Sequence, residues 1–358
     1  MFASEKNKLN VTNVNQALTK VMDPDLNRDI VSLGMVSNIE INNNDITFTL
    51  TLTTPACPLK EKIESDCIAA LKELPDVNNI KINTTANVSS APKINDKEPV
   101  IGIKHIIAVT SGKGGVGKTT TAINIACALA HLGAKVGVLD SDITGPNSPL
   151  MLGVEDYKPT AQENKIMPAE NFGVKCISMA FFVAKDTPVI WRGPMLDKAI
   201  RQFLRDVEWG ELDYLIIDMP PGTGDAQLTM VQATQLSGGV IVTTPQEVAL
   251  LDGRKGLAMF KQMNVPVLGF IENMSYFQPP NTNERYEIFG HGGGQKLAKE
   301  EGVPFLGEIP IATELRQACD DGKPLVYQDP NHPVSQKFIE IAKNLAAQIS
   351  IYALGRND

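Results

Sequence analysis

No stretch of the chain constrains its fold more than Gly112-Lys113-Gly114-Gly115-Val116-Gly117-Lys118-Thr119. The apolar run Ile106-Ile107-Ala108-Val109 leads into it. A helical pattern follows, with Ala122, Ile125, Ala126 and Leu129 on one face and Gly133 placed for the C-terminal cap. Strand, glycine-rich loop and helix in that order are the setting in which G-x-x-x-x-G-K-[ST] marks a phosphate cradle. Glycines let successive backbone N–H groups point at one oxyanion, and the helix N-terminus adds partial positive charge. The pattern predicts that Lys118 reaches the β- and γ-phosphates of a nucleotide and that Thr119 holds Mg²⁺ through its hydroxyl. Gly112, Gly114, Gly115, Val116 and Gly117 would line the cradle.

The chain has 358 residues, enough for one large or two unequal domains with a substantial core. Hydrophobic residues make up 43% and charged ones 21%, as in an ordinary globular protein. The net charge of −8 disfavours nucleic acid or an anionic membrane as partner. Neither a signal-peptide core nor a bilayer-spanning stretch is visible. Five scattered cysteines do not form a disulfide framework, which points to a reducing compartment, most simply the cytoplasm.

Residues 1–83 read as a small α+β unit. Val14, Leu18 and Val21 share a helix face that Pro24 closes. Ile46, Phe48, Leu50 and Leu52 alternate with threonines, as in a half-buried strand, and a turn at Asn42 to Asp45 joins it to Val36–Ile41. Thr54-Pro55-Ala56-Cys57-Pro58 opens a helix carrying Leu59, Ile63, Cys67, Leu71 and Leu74 on its buried stripe, and Val77–Ile82 offers a last strand. With Pro58 at the first helical position, Cys57 falls at the cap, where unpaired N–H groups favour a thiolate. Packing would explain this cysteine equally well. Residues 84–100 are polar and aperiodic, a linker, and 101–358 form the second domain.

Beyond the cradle, Val136–Leu139 ends in Asp140-Ser141-Asp142, and Tyr214-Leu215-Ile216-Ile217 ends in Asp218. Acids at such strand ends lie on the ligand edge of a parallel sheet. One of Asp140 and Asp142 could support the metal or lysine while the other orients water, although helix capping would leave the same pattern. Asp218 reads as the acid that touches Mg²⁺. Val240–Val242, Val267–Ile271 and Phe305–Ile309 are further strands, and Val334–Leu354 closes as an amphipathic helix. Alternating strands and helices predict an α/β domain with a doubly wound, mostly parallel sheet.

Lys-Gly-Gly-Val-Gly-Lys-Thr-Thr resembles the deviant phosphate loop of the MinD/ParA/nitrogenase-iron-protein class. In that class the early lysine, here Lys113, crosses a homodimer interface to the partner's nucleotide, and Asp142 takes the water-activating role. The class also implies that Asn273, with Pro245 nearby, reads the adenine. Pro220-Pro221-Gly222-Thr223-Gly224-Asp225, Thr244-Pro245-Gln246-Glu247-Val248-Ala249 and Glu272-Asn273-Met274-Ser275 resemble the Mrp/ApbC-type iron–sulfur cluster carriers. The N-terminal unit is similar to the small domain of iron–sulfur assembly factors, where the cysteine before proline is reactive. The resemblance implies an ATP-hydrolysing homodimer that holds a [4Fe–4S] cluster and passes it to apoproteins; the acidic balance and the non-basic C-terminal helix argue against nucleic acid and membrane as partners. A positioning ATPase of MinD/ParA type, or an assembly factor for another metal or protein cargo, is the alternative.

One departure stands out. Typical members carry a C-x-x-C pair after Glu-Asn-Met-Ser, whereas this chain has Tyr276-Phe277-Gln278-Pro279-Pro280-Asn281, then resumes the pattern at Ile288-Phe289-Gly290-His291-Gly292-Gly293-Gly294. It thereby resembles the plastid-type branch. Cys57 is then the first candidate ligand and Cys319, in a polar stretch, the second, while Cys67, Cys127 and Cys176 read as core.

Overall fold

A computed structural model describes residues 9–91, 99–142, 145–183, 193–279 and 282–355. The chain divides into two compact units, residues 1–89 with 346–358, and residues 90–345. Of the expected linker, residues 92–98 lie outside the described residues.

In the small unit, helix α1 (Val11–Leu18) starts at Asn10, whose side chain accepts the Asn13 N–H at 2.9 Å. The helix ends well short of Pro24: the Thr19 hydroxyl donates back to the Gln16 carbonyl at 2.8 Å. Val21 is buried, but from the turn that follows and not from the helix. Strands β1 (Val36–Asn42) and β2 (Asp45–Leu52) pair antiparallel. Along β2 every second residue is buried, Ile46, Phe48, Leu50 and Leu52, as the alternation required. Each such side chain contributes about 1.5–3 kcal/mol by leaving water.

Helix α2 (Lys60–Lys72) lays Ile63, Cys67 and Leu71 on that face. It begins later than the sequence suggested. Thr54 forms a turn of its own, its hydroxyl accepting from Ala56 N and its carbonyl from Cys57 N. Leu59 therefore becomes the N-cap, and Cys57 and Pro58 stay outside the helix. Strand β3 (Ile80–Ala86) pairs parallel with β2, Ile80 opposite Ile46 and Ala86 opposite Leu52. The length of its partner carries β3 three residues into the segment read as linker.

The large unit is an eight-stranded sheet. Its chain order is β4 (Ile103–Thr110), α3 (Lys118–His131), β5 (Val136–Asp140), β6 (Ala169–Asn171), β7 (Val174–Ser178), α4 (Gly193–Asp206) and β8 (Leu212–Asp218). Then come α5 (Asp225–Ala233), β9 (Gly238–Thr243), α6 (Glu247–Gln262), β10 (Val267–Phe277), α7 (Gly293–Glu301), β11 (Phe305–Ile311), α8 (Thr313–Asp320) and α9 (Pro333–Leu354), which counts with this unit as far as Leu345. Across the sheet the order is β6-β7-β5-β8-β4-β9-β10-β11, parallel throughout except for the edge pair β6–β7. The doubly wound, mostly parallel sheet is thus borne out.

Residues of β8 are buried on both faces, as a central parallel strand requires. Helix α3 ends in a Schellman motif. Gly133 takes φ +96° and donates to Ala130, and Ala134 N–H donates to the Leu129 carbonyl at 3.0 Å. Because β8 lies between β4 and β5, the chain leaves β4 in one direction and returns on its other side with β9. The carboxyl ends of β4, β5 and β8 meet at this change of direction, where open parallel sheets bind ligands.

Candidate functional site

The loop between β4 and α3 is built around two glycines that no other residue could replace without rearrangement. A Cβ on Gly112 would lie 2.2 Å from the Asp252 backbone in α6. One on Gly117, at φ +80°, would lie 2.2 Å from Asn273 Nδ2. A Cβ on Gly114 or Gly115 would meet nothing within 4 Å, although Gly115, at φ +81°, is held to glycine by its backbone. That open side is where a phosphate fits against the loop amides and the α3 N-terminus.

Lys118 opens α3 and is 6% exposed. Its Nζ donates to Asp218 Oδ1 at 2.6 Å and stands 3.7 Å from Asp142 Oδ2. The Thr119 hydroxyl donates to the other Asp218 oxygen at 2.7 Å. Asp218 is fully buried, and burial raises its pKa from 3.8, opposed chiefly by the Lys118 charge. A buried carboxylate oxygen and a threonine hydroxyl at this separation are hard oxygen donors of the kind Mg²⁺ takes, so the donor set fits that ion.

Asp140, paired with Asp218 across β5 and β8, serves as a hub. One of its oxygens accepts the Asp142 N–H at 3.1 Å, and the other accepts Ser148 N–H and the Ser178 hydroxyl. Burial and the Asp218 charge push it up to about 7. Asp140 therefore shapes the turn that carries Asp142 and contacts neither Lys118 nor Thr119 through a hydrogen bond. Downstream of β8, Gly222 N–H donates to the Ser111 carbonyl at 2.9 Å, and Gln227 holds the Pro220 carbonyl at 2.9 Å. The Pro-Pro-Gly turn is thereby tied to the base of the phosphate loop.

The structure places the remaining candidates, Asn273, Pro245, Cys57, Cys319 and Lys113, as follows. Asn273 lies inside β10 and not beyond its end, and its Nδ2 donates to the Val116 carbonyl at 2.9 Å. It braces the loop. Pro245 is buried against Gly290 and Gly293. Cys57 still has the Leu59 and Lys60 N–H groups directed at its sulfur, but burial outweighs them, and Asp23 and Asp25 add to it, so its thiol is raised above 9.0. It is not the low-pKa thiol that a cap position implied. Cys319 sits on the buried face of α8, 7% exposed, its Sγ 4.0 Å from Thr120 Oγ1, and burial raises its thiol as well. The polar sequence around it belongs to the opposite face of the helix. Lys113 is half-buried, with its carbonyl accepting the Ser111 hydroxyl at 2.9 Å.

Another cluster had no role in the sequence reading. A bulge at Met274, with φ +54°, turns Ser275 toward Glu272. The Ser275 Oγ lies 2.6 Å from Glu272 Oε1, 3.0 Å from His291 Nδ1 and 3.2 Å from Glu308 Oε2. Glu272 also accepts Gly292 N–H at 2.9 Å and Gly294 N–H at 2.5 Å. The Glu-Asn-Met-Ser and Gly-His-Gly-Gly-Gly runs were both visible, but nothing in either says that they meet.

Comparison with known proteins fits this geometry. Residues 102–346 match the family model described as NUBPL iron-transfer P-loop NTPase, and residues 12–82 match the iron–sulfur cluster assembly protein model. An iron–sulfur cluster carrier protein of Synechocystis is 50% identical over 342 residues, covering 94% of this chain and 97% of that protein. The iron–sulfur cluster transfer protein NUBPL of Dictyostelium discoideum is 48% identical over 257 residues, 71% of this chain and 80% of its own length. Among solved structures, a nucleotide-binding protein of Archaeoglobus fulgidus in complex with ADP is 40% identical. It superposes with a TM-score of 0.58 over 66% of this chain and 93% of its own. Given a phosphate loop whose lysine and threonine converge on the acid of a neighbouring strand, and matches of this extent, the chain belongs to the NUBPL iron-transfer P-loop NTPase family.

Proposed function

We propose that the chain is an ATP-dependent carrier of iron–sulfur clusters, hydrolysing ATP slowly and passing a [4Fe–4S] cluster, its cargo, to apoproteins. The convergence of Lys118, Thr119, Asp142 and Asp218 at one sheet edge carries the ATPase half of this reading. The names of the relatives support the cargo. Thr119 and Asp218 would hold Mg²⁺, whose charge would screen the phosphates. Lys118 neutralises the phosphoryl oxygens, the loop amides fix their position, and Asp142 orients the attacking water and takes its proton. Lys113 supplies charge to the nucleotide of a second copy, which makes the active form a homodimer. With one Asn273 amide N–H committed to Val116, its carbonyl oxygen and second N–H are left for reading the base, beside Pro245.

The small unit, expected as residues 1–83 with a linker of 84–100 before an ATPase domain of 101–358 but including β3 to Ala86, contributes Cys57 as the cluster ligand. One cysteine per subunit leaves ligation incomplete, so the remaining thiols come from the second copy and the recipient. Such a cluster is labile by construction. Bacterial relatives of this name support a cytoplasmic setting, and no helix among the described residues is long and apolar enough to cross a membrane.

The test is anaerobic reconstitution with iron and sulfide counting, then transfer to an apoprotein with and without Mg–ATP. Asp142→Asn should bind a fluorescent ATP analogue but not hydrolyse ATP. A parent protein that takes up no stoichiometric sulfide removes the carrier reading, and undiminished hydrolysis in Asp142→Asn removes the site assignment.

A further inference from the structure

Glu272 on β10 and Glu308 on β11 are register partners in adjacent parallel strands. Like charges directly opposite one another destabilise a sheet. Glu272 is fully buried, which raises the cost of its charge further. The cation nearest the pair is poor compensation: Arg285 stands 3.9 Å from Glu308 Oε1, is about half exposed, and lies over the Tyr276 ring. His291 is the other basic group, its Nδ1 3.6 Å from Glu308 Oε2. One further group, the Ser275 hydroxyl, touches both carboxylates and the imidazole, yet it has only one proton to donate.

We propose that Glu272, Glu308 and His291, together with Ser275, form a mononuclear site for a first-row divalent cation such as Mn²⁺ or Fe²⁺. The ligand atoms of the two glutamates and the histidine all lie within 4.8 Å of one another. A cation about 2.1 Å from each ligand sets ligand–ligand edges of roughly 3 Å. The edges from Ser275 Oγ to His291 and Glu308, 3.0 and 3.2 Å, already match, and the His291–Glu308 edge of 3.6 Å needs only a small closure. Two carboxylates and one imidazole suit Mn²⁺, Fe²⁺ or Zn²⁺ and not a thiolate-loving ion.

Such a cation would cancel the two facing charges. The supports expected around a metal ligand are also present, since Glu272 is oriented by the Gly292 and Gly294 amides. Access runs from solvent over His291, whose side chain is 38% exposed. The site uses no cysteine and stands independently of the cluster reading.

The experiment is a Mn²⁺ titration of chelator-treated, nucleotide-free full-length protein, reading free Mn²⁺ by its electron paramagnetic resonance signal. Mn²⁺ is chosen because it neglects thiols. One equivalent should bind to the parent, with affinity falling at least about 10-fold in Glu308→Gln and in His291→Ala, since loss of a ligand costs no less than loss of a group that merely supports one. Both positions are partly exposed, so both variants should fold, which retained binding of a fluorescent ATP analogue would verify. Absence of saturable Mn²⁺ binding in the parent overturns the proposal. Equal binding in parent and both folded variants overturns it too, by placing the ion elsewhere.

Discussion

Replacing Gly117 by alanine probes the phosphate loop from within. At φ +80° a non-glycine residue costs about 1–2 kcal/mol. The new Cβ would also sit 2.2 Å from Asn273 Nδ2, so that amide must leave the Val116 carbonyl, which is buried. A buried acceptor stripped of its partner costs a further 1–3 kcal/mol or so. Gly117→Ala should therefore lose about 2–5 kcal/mol in urea unfolding of the large unit, and nucleotide affinity with it. Asn273→Ala on its own loses only the hydrogen bond, about 1–3 kcal/mol. The two changes share one contact, so the double variant should be more stable than the sum of the singles by about the value of that bond. Strict additivity would refute the claim that Asn273 is the loop's brace.

Lys118→Ala is no silent knock-out, because it strips a buried carboxylate of its counter-ion at a cost of about 3–5 kcal/mol near pH 8. Asp218 is raised above 3.8 even beside Lys118, and further without it. A carboxyl so raised favours the fold below its unfolded value, a contribution lost as pH rises through the folded value. The penalty must therefore shrink toward pH 4, and a cost independent of pH would contradict the pairing. Lys113→Ala should retain nucleotide binding but lose hydrolysis by about 10³-fold, as when a charge supplied in trans is removed. Mixing it with a subunit disabled at Asp142 should restore part of the rate, and no rescue in any mixture argues against the trans role. Cys57, with its thiol raised above 9.0, should react with iodoacetamide more slowly than a free thiol at pH 8, at a rate still climbing beyond pH 9. A plateau below pH 8 would mean that the helix amides win after all. Cys57→Ser should lose reconstituted iron.

The cradle and the strands around it were legible because local pattern and ligand chemistry coincide there. Glycines at Gly112 and Gly117 are demanded by packing and conformation at the same positions that the phosphate motif marks. The strand Asp45–Leu52 was legible for a simpler reason, since one wet face and one dry face leave an alternation. Val174–Ser178 was not, being a short apolar run with no period of its own. Cys57 was misplaced because the Thr54 hydroxyl, and not the proline, decides where the turn ends. Asp140 and Asp142 could not be assigned apart until the Ser148 and Ser178 donors appeared around the former. Glu272, His291 and Glu308 are drawn from a strand, a loop and the next strand, and no spacing rule joins such a set.

Strand β10 has one more consequence. Adjacent side chains of a strand leave on opposite faces. Here the first of two neighbours, Glu272, fastens the Gly292–Gly294 turn, and the second, Asn273, fastens the Val116 carbonyl. A single peptide plane thus separates two anchorages, and that plane is rigid. The anchor of the phosphate loop and the anchor of the Gly292–Gly294 turn therefore share one backbone support, and that turn begins one residue after His291.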